Sequence, residues 1–241
     1  MIQIGSVPWR ILNYGPNAAL KYSLHRLFGK SQLLNYKQTE FSLFQSQFTV
    51  ESFWNNTDTK YLNEDLEKLR KFFAGKKIKN VFDEPSFTRI VALCQLLKTR
   101  KYNLVIETGT QNGISSSLMQ NFLDRNFIPA SIHTFDVIEM VKEFRNTINY
   151  HTLTFPGRRK FINLTGKMNC TSAIFFHDSD HSKENMEFEL NYAWRILKVS
   201  AIVCDDVQSN NAFLRFVKKT QVKSFFLKLD HGPMVGIILR N

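Results

Sequence analysis

From about residue 81 onward, short apolar runs alternate with segments whose apolar residues recur every three or four positions. The runs predict buried strands, and the spaced segments predict amphipathic helices. The predicted strands are 103–107, 131–135, 160–164, 172–176, 201–204, 223–229 and 234–239. The predicted helices are 85–99, 114–125, 138–149, 182–197 and 209–219. This alternation predicts an α/β domain, and the tight turn at His231-Gly232-Pro233 predicts that the last two strands form an antiparallel hairpin.

The first 80 residues do not follow this alternation. Helices are predicted near 17–28, which is basic and amphipathic, and near 59–73, while residues 41–54 are rich in aromatic side chains. We expect an N-terminal helical extension over 1–80 and a second domain over 81–241. A helix of about three turns at 17–28 favours a lid or a homodimer contact over peripheral contact with a membrane.

The composition changes this picture little. Hydrophobic residues make up 43% and charged residues 22% of the 241 residues, as in ordinary globular proteins. The net charge is +11, but the basic residues are spread along the chain, so nucleic acid is not favoured as a partner. No apolar run approaches the roughly 18 residues that span a bilayer, and the N-terminus does not resemble a secretory signal. Three widely separated cysteines match no zinc or disulfide spacing, which predicts reduced thiols and a cytoplasmic location.

The first stretch that indicates chemistry is LVIETGTQNGISSS, residues 104–117. A buried strand ends at an acidic residue, two glycines follow, and a helix begins. This layout is typical of a nucleotide-type site at the C-terminal edge of a parallel sheet. The spacing differs from G-x-G-x-x-G, which disfavours a dinucleotide. The candidate cofactor-binding residues are Glu107, Gly109, Thr110, Gly113 and Ser115. The alternative is a helix-capping turn that binds no ligand.

Asp136 ends the second predicted strand, 23 residues after Gly113. In doubly wound folds an acidic residue at about this distance accepts hydrogen bonds from ribose hydroxyls. A carboxylate suits that role because it can accept two bonds at once from a vicinal diol. The alternative role for a lone aspartate at the end of a strand is to cap the next helix.

Ionisable residues crowd the end of the fourth strand, where His177, Asp178, Asp180 and His181 follow an apolar run. Asp205 and Asp206 end the fifth strand. Such groups are costly at a sheet edge unless they have partners or ligands. Because adjacent carboxylates repel each other, a bound cation would stabilise them, and oxygen ligands favour Mg²⁺, Ca²⁺ or Mn²⁺. An aspartate that only caps a helix is the alternative.

Residues from about 85 to 239 resemble the methyltransferase family 24 group of class I S-adenosylmethionine (SAM)-dependent O-methyltransferases. The glycine loop resembles their motif I, and residues 178–184, DSDHSKE, resemble their D-G-D-H-[ST]-Y-E segment, with an acidic pair again following strand five. The resemblance implies a Rossmann-like class I methyltransferase sheet of order 3-2-1-4-5-7-6, with the last strand antiparallel. It implies SAM as the cofactor, bound by the glycine loop, Asp136 and Asp178.

The resemblance also implies roles at the second cluster. Asp178, Asp205 and Asp206 match the three Mg²⁺ ligands of catechol O-methyltransferase-like enzymes. The catalytic base of those enzymes is a lysine three residues past the first ligand, and His181 stands there in this chain. Histidine can serve, because its pKa lies near neutrality; Lys183 is a second candidate.

The sequence therefore predicts a SAM-dependent O-methyltransferase, assisted by a divalent cation, that acts on a hydroxyl of a small molecule or glycan. Two alternatives stay open. One is a metal-independent methyltransferase in which the aspartates cap helices and His181 acts alone. The other is a non-catalytic SAM-fold module in glycan assembly whose helix at 17–28 docks to a membrane.

Overall fold

The computed structural model describes residues 56–75, 87–111, 113–137, 148–153, 157–227 and 234–240. Four predicted features lie outside these ranges. They are the helix at 17–28, the aromatic stretch at 41–54, the helix start at Pro85 and the turn at 231–233.

The described residues form helices and strands in alternation. The α-helices are α1 (Asn56–Gly75), α2 (Phe87–Thr99), α3 (Ile114–Arg125), α4 (Gly157–Thr165), α5 (Lys183–Asn191) and α6 (Ala212–Thr220). A π-helical stretch, Tyr192–Leu197, continues α5. The strands are β1 (Leu104–Thr108), β2 (Ser131–Asp136), β3 (Asn149–Thr152), β4 (Ala173–His177), β5 (Ala201–Cys204), β6 (Lys223–Leu227) and β7 (Val235–Leu239).

The strands form one sheet of order β3-β2-β1-β4-β5-β7-β6, as predicted. The pairs from β3 to β5 are parallel, and β7 runs antiparallel to both β5 and β6. The central strands β1, β4 and β5 are buried along their whole length. Their apolar runs are long enough to be recognised in the sequence, because both faces of these strands are covered.

The predicted third strand, 160–164, is wrong. These residues lie in α4, where the Thr165 hydroxyl donates to the Phe161 carbonyl at 2.7 Å, one helical turn back. The third strand is instead Asn149–Thr152, which pairs with β2 from His133 opposite Asn149. The predicted helix at 138–149 therefore ends too late, and its residues 138–147 lie outside the described part of the chain. β3 is a polar edge strand with the sequence NYHT, so it has no apolar run to reveal it.

Helices α1, α2 and α3 share a hydrophobic cluster with the sheet. Its members include Leu62, Leu93, Leu97, Val105, Phe122, Ile174 and Val203. The apolar residues Ile90, Leu93, Cys94 and Leu97, which recur at helical spacing in α2, are all buried. An ion pair also joins α1 to α3, with 2.7 Å between Arg125 Nη2 and the buried Asp65 Oδ2. The predicted helix near 59–73 is confirmed as part of α1.

By their contacts the described residues fall into two compact units. Helix α4 belongs to one unit, and the sheet with the other helices belongs to the second. No helix in the described ranges is long and apolar enough to cross a bilayer. The domain division at residue 80, the homodimer and the cytoplasmic location stay predictions.

Gly236, in β7, provides a test of packing between the sheet and α6. A Cβ added there would lie 2.4 to 2.8 Å from ring atoms of Phe213, which is fully buried and has little room to move. We expect Gly236→Ala to lower the free energy of unfolding by about 1–3 kcal/mol, measured by urea denaturation, because overpacking a closed core costs that much. In the Phe213→Leu background the same substitution should cost less. An equal cost in both backgrounds would contradict this account.

Candidate active site

The glycine loop lies where the C-terminal ends of β1, β2 and β4 meet. Gly109 has a φ of +91°, and its N–H donates to the Phe135 carbonyl at 2.9 Å. A Cβ at Gly109 would lie 2.2 Å from the Asp178 carbonyl oxygen. Glycine is therefore needed both for the backbone conformation and for the close approach of the chain after β4.

Glu107 is fully buried at the end of β1. Its carboxylate accepts hydrogen bonds from the hydroxyls of Ser115, Ser116 and Thr134. Burial raises its pKa, and these hydrogen bonds partly oppose that shift. The Thr110 hydroxyl bonds that of Thr134. Of the predicted cofactor residues, Glu107, Thr110 and Ser115 thus belong to one buried network that ties the start of α3 to β1 and β2.

Asp136 lies at the end of β2, 8% exposed. Its Oδ2 accepts from the Gln111 N–H of the glycine loop at 2.6 Å, and its Oδ1 accepts from the Val137 N–H at 2.6 Å. Gly113, with a φ of +77°, is the N-cap residue of α3. The structure therefore brings Asp136 and the glycine loop together, as the sequence predicts.

A second polar cluster lies at the ends of β4 and β5. One potential ligand atom from each of Asp178, His181 and Asp205 lies within 4.8 Å of the others. Arg89, from α2, lies between the two carboxylates. Its Nη1 is 2.9 Å from Asp178 Oδ1 and 2.5 Å from Asp205 Oδ2. His181 Nε2 is 4.0 Å from the same Asp178 oxygen.

Burial dominates the electrostatics of this cluster. It raises the pKa of Asp178 well above the usual value, with Asp205 acting in the same direction and Arg89 opposing. Burial also lowers the pKa of His181 to about 4, with His177 adding to the effect. His181 is therefore a neutral imidazole at pH 7, able to accept a proton but a weak base.

Several buried polar atoms of the cluster have no hydrogen-bond partner. In the described part of the chain these are Arg89 Nε, His177 Nε2, His181 Nδ1 and Asp205 Oδ1. Buried polar atoms are normally satisfied in folded proteins. Their concentration at one sheet edge makes this cluster a candidate functional site.

A buried histidine–glutamate pair, His177 and Glu189, packs against the cluster. His177 Nδ1 is 2.6 Å from Glu189 Oε2 of α5, and the Thr108 hydroxyl donates to the same oxygen at 2.7 Å. Burial alone would raise the pKa of Glu189, but His177 and the hydrogen bonds together lower it. The His177 and His181 rings meet edge to face, 5.4 Å between centroids. Glu189 thus holds the ring that His181 packs against.

The remaining predicted residues take other places. Asp206, predicted as a metal ligand, lies outside the three-residue cluster and has a φ of +49°. Asp180 accepts from the Ser182 hydroxyl at 2.9 Å, just before α5 begins. Lys183 Nζ is 4.0 Å from Glu187 Oε1, in an ion pair on α5.

Sequence reasoning missed Arg89 and Glu189. Arg89 had a detectable signal, because it stands four residues before Leu93 and so shares the buried stripe of α2. A cation on an apolar stripe predicts a buried anionic partner. Glu189 follows Asn185 by one turn of α5, and the Asn185 side-chain amide donates to the Glu189 carboxylate at 3.1 Å. The sequence pattern does not distinguish this buried pair from two polar residues on an exposed face of the helix.

No protein-family model and no curated protein matches this sequence. Solved structures resemble it in fold. An O-methyltransferase from Bacillus cereus, in complex with SAH, aligns over 80% of this chain and 100% of its own, with a TM-score of 0.51 and 14% identity. A proposed caffeoyl-CoA O-methyltransferase from Staphylococcus aureus aligns over 78% of this chain and 100% of its own, with a TM-score of 0.52 and 12% identity. The chain therefore has the Rossmann-like fold of class I SAM-dependent O-methyltransferases.

Glu189→Gln tests the support behind the cluster. Because the folded-state pKa of Glu189 lies below its usual value of 4.5, this residue contributes stability at neutral pH that is lost as the pH falls through the folded pKa. We expect the substitution to lower the free energy of unfolding at pH 7 by about 3 kcal/mol, since it breaks a buried pair. The loss of stability on acidification should become shallower. Urea denaturation from pH 7 to pH 3 measures both effects.

Glu187→Gln, on the same helix, is the matched control. Glu187 is paired with Lys183 at the surface, so its substitution should change stability by less than about 1 kcal/mol. Equal losses for the two variants would mean that Glu189 has no special supporting role.

Proposed function

We propose that this protein is a SAM-dependent O-methyltransferase that acts on a hydroxyl of a small molecule or glycan. One observation carries the proposal. The methyltransferase strand order, with β7 antiparallel, places the glycine loop and the buried Asp136 side by side at the ends of β1 and β2. Ligands of open α/β sheets bind at this edge, where the direction of chain winding changes.

The residues present are compatible with SAM. The Asp136 carboxylate lies beside the glycine loop, and a carboxylate is chemically suited to accept hydrogen bonds from ribose hydroxyls. The backbone of residues 109–111 and of Gly113 would lie along the amino-acid end of the cofactor. When bound, SAM supplies an electrophilic methyl group. Glu107 would stabilise the glycine loop, since its carboxylate accepts hydrogen bonds from Ser115 and Ser116 at the start of α3.

His181 is the group of the second cluster best placed to meet an acceptor. Its side chain is 28% exposed, whereas those of Asp178 and Asp205 are 8% and 4% exposed. Its Nε2 lies 4.0 Å from Asp178 Oδ1, and its ring packs edge to face against His177. The proposed roles are removal of the acceptor proton by His181 and orientation of the imidazole by the His177 ring, with the Asp178 carboxylate nearby. Lys183 is the weaker candidate, because it is paired with Glu187.

A divalent cation fits this arrangement poorly. Asp178 and Asp205 supply oxygen ligands, but Arg89 already donates to one oxygen of each. A second cation there would face the guanidinium at short range. The observation favours the metal-independent alternative over the cation-assisted enzyme that the sequence predicts.

Asp136→Ala tests the cofactor site. We expect the wild type to bind SAM with micromolar affinity in isothermal titration calorimetry, with or without Mg²⁺. The variant should bind at least about 10-fold more weakly, because a hydrogen bond to a charged group contributes about 1.5–3 kcal/mol. Asp124→Asn, an exposed aspartate at the end of α3, is the control and should bind like the wild type. Absence of SAM binding to the wild type would exclude the proposed function.

His181→Ala tests the base. With any acceptor from a panel of phenols, catechols and sugars that supports turnover, we expect kcat to fall about 10²–10⁴-fold, the usual contribution of a general base. The dissociation constant of SAM should change little. Formation of S-adenosylhomocysteine, measured by mass spectrometry, reports the rate. Lys183→Ala is the comparison, and a larger loss there than in His181→Ala would reverse the assignment of the base.

A further inference from the structure

We propose that Arg89 is the resident cation of the second cluster. Its guanidinium lies between Asp178 and Asp205, where a divalent ion would have to bind, and it makes this edge of the sheet independent of metal. The inference about metal binding concerns only the side chains of this cluster and does not depend on the proposed function. The consequence for catalysis, a fixed positive charge beside the acceptor site, rests on the proposed function.

The geometry places the arginine and a metal in competition for the same atoms. Arg89 Nη1 lies 2.9 Å from Asp178 Oδ1 and 2.5 Å from Asp205 Oδ2. A metal ion bound by these oxygens would need distances of about 2.0–2.6 Å to both. The nitrogen and the ion would therefore occupy overlapping positions. With Arg89 in place, one oxygen of each carboxylate accepts from the guanidinium, and Asp205 Oδ1 is a fully buried oxygen without a hydrogen-bond partner.

The charges of Asp178, Asp205 and Arg89 also disfavour a bound divalent ion. The side chains of Asp178 and Asp205 are 8% and 4% exposed, so their negative charges need compensation within the protein. The guanidinium supplies one permanent positive charge to this pair of carboxylates, because arginine is not deprotonated in proteins. A dication added beside it would meet a like charge at low dielectric.

The backbone that carries Arg89 is anchored. The following residues of α2, Ile90 to Leu93, are buried in the core beneath the sheet edge. The Arg89 side chain is only 19% exposed. To admit a metal, the guanidinium would have to leave the two buried carboxylates to which it donates. A surface arginine could move aside without leaving buried carboxylates behind, whereas Arg89 could not.

The test is a titration with Mn²⁺, followed by electron paramagnetic resonance and calorimetry, on the wild type, Arg89→Gln and Arg125→Gln. We expect no Mn²⁺ site in the wild type and one site in Arg89→Gln, where the two carboxylates lose the guanidinium and His181 offers a third ligand atom within 4.8 Å. At Mn²⁺ concentrations near 100 times the dissociation constant, the Tm of Arg89→Gln should rise by roughly 5 °C. The double variant Arg89→Gln with Asp205→Asn should lose the new site.

Arg125→Gln is the matched control. It also removes an arginine from a buried carboxylate, Asp65, but the described cluster of metal-ligand type does not include that residue. No Mn²⁺ site should appear in this variant. Lys68 Nζ, 3.4 Å from Asp65 Oδ1, stays paired with Asp65 in this variant. Gain of a site in both variants would mean that removing an arginine from a buried carboxylate creates a Mn²⁺ site in general, and it would overturn the proposal.

Two further results would overturn it. One is a single Mn²⁺ bound by the wild type and lost in Asp205→Asn, which would make the cluster a metal site from which Arg89 moves away. The comparison of the wild type with Asp205→Asn tests the proposal even if Arg89→Gln does not fold. The other is a folded Arg89→Gln that gains no Mn²⁺. Neither readout uses SAM or an acceptor, so failure here and failure of the proposed function are separate results.

Discussion

The candidate site depends on how buried carboxylates are compensated around the ends of β1, β4 and β5. These residues are Glu107, Asp178, Glu189 and Asp205. Their partners are of three kinds. Serine and threonine hydroxyls bond Glu107, His177 bonds Glu189, and Arg89 bonds one oxygen of each aspartate. An unpaired charge at this depth would cost several kcal/mol, so the partners determine which side chains remain available for chemistry.

Close packing and a hydrogen bond between main-chain segments connect the glycine loop to the polar cluster. The main chain after β4 passes so close to Gly109 that a methyl group would not fit between them. The Asp178 N–H also donates to the Thr108 carbonyl at 3.0 Å. A displacement of the loop therefore moves the backbone of Asp178, and with it the carboxylate beside His181. Such coupling suits an enzyme that must hold a cofactor and an acceptor in line.

The proposal for Arg89 changes how the acidic pair is interpreted. Aspartates that follow two neighbouring strands suit either a metal ion or an internal cation, since both satisfy the same oxygens. The choice depends on a side chain 89 residues from Asp178 in the chain and 116 from Asp205. Under the proposed function, the acceptor hydroxyl would be positioned beside a fixed guanidinium rather than by chelation to a metal ion.

Much of the fold could be predicted from the sequence, because β1, β4 and β5 are buried on both faces and appear as apolar runs that end in polar residues. The same pattern correctly placed Asp136 beside the glycine loop and brought Asp178 near Asp205. It failed for β3, since an edge strand half exposed to solvent needs no apolar run. Only the tertiary structure decided that Arg89 from α2 and Glu189 from α5 complete the site. Periodicity reports whether a position is buried, whereas charge compensation depends on which distant side chains meet there.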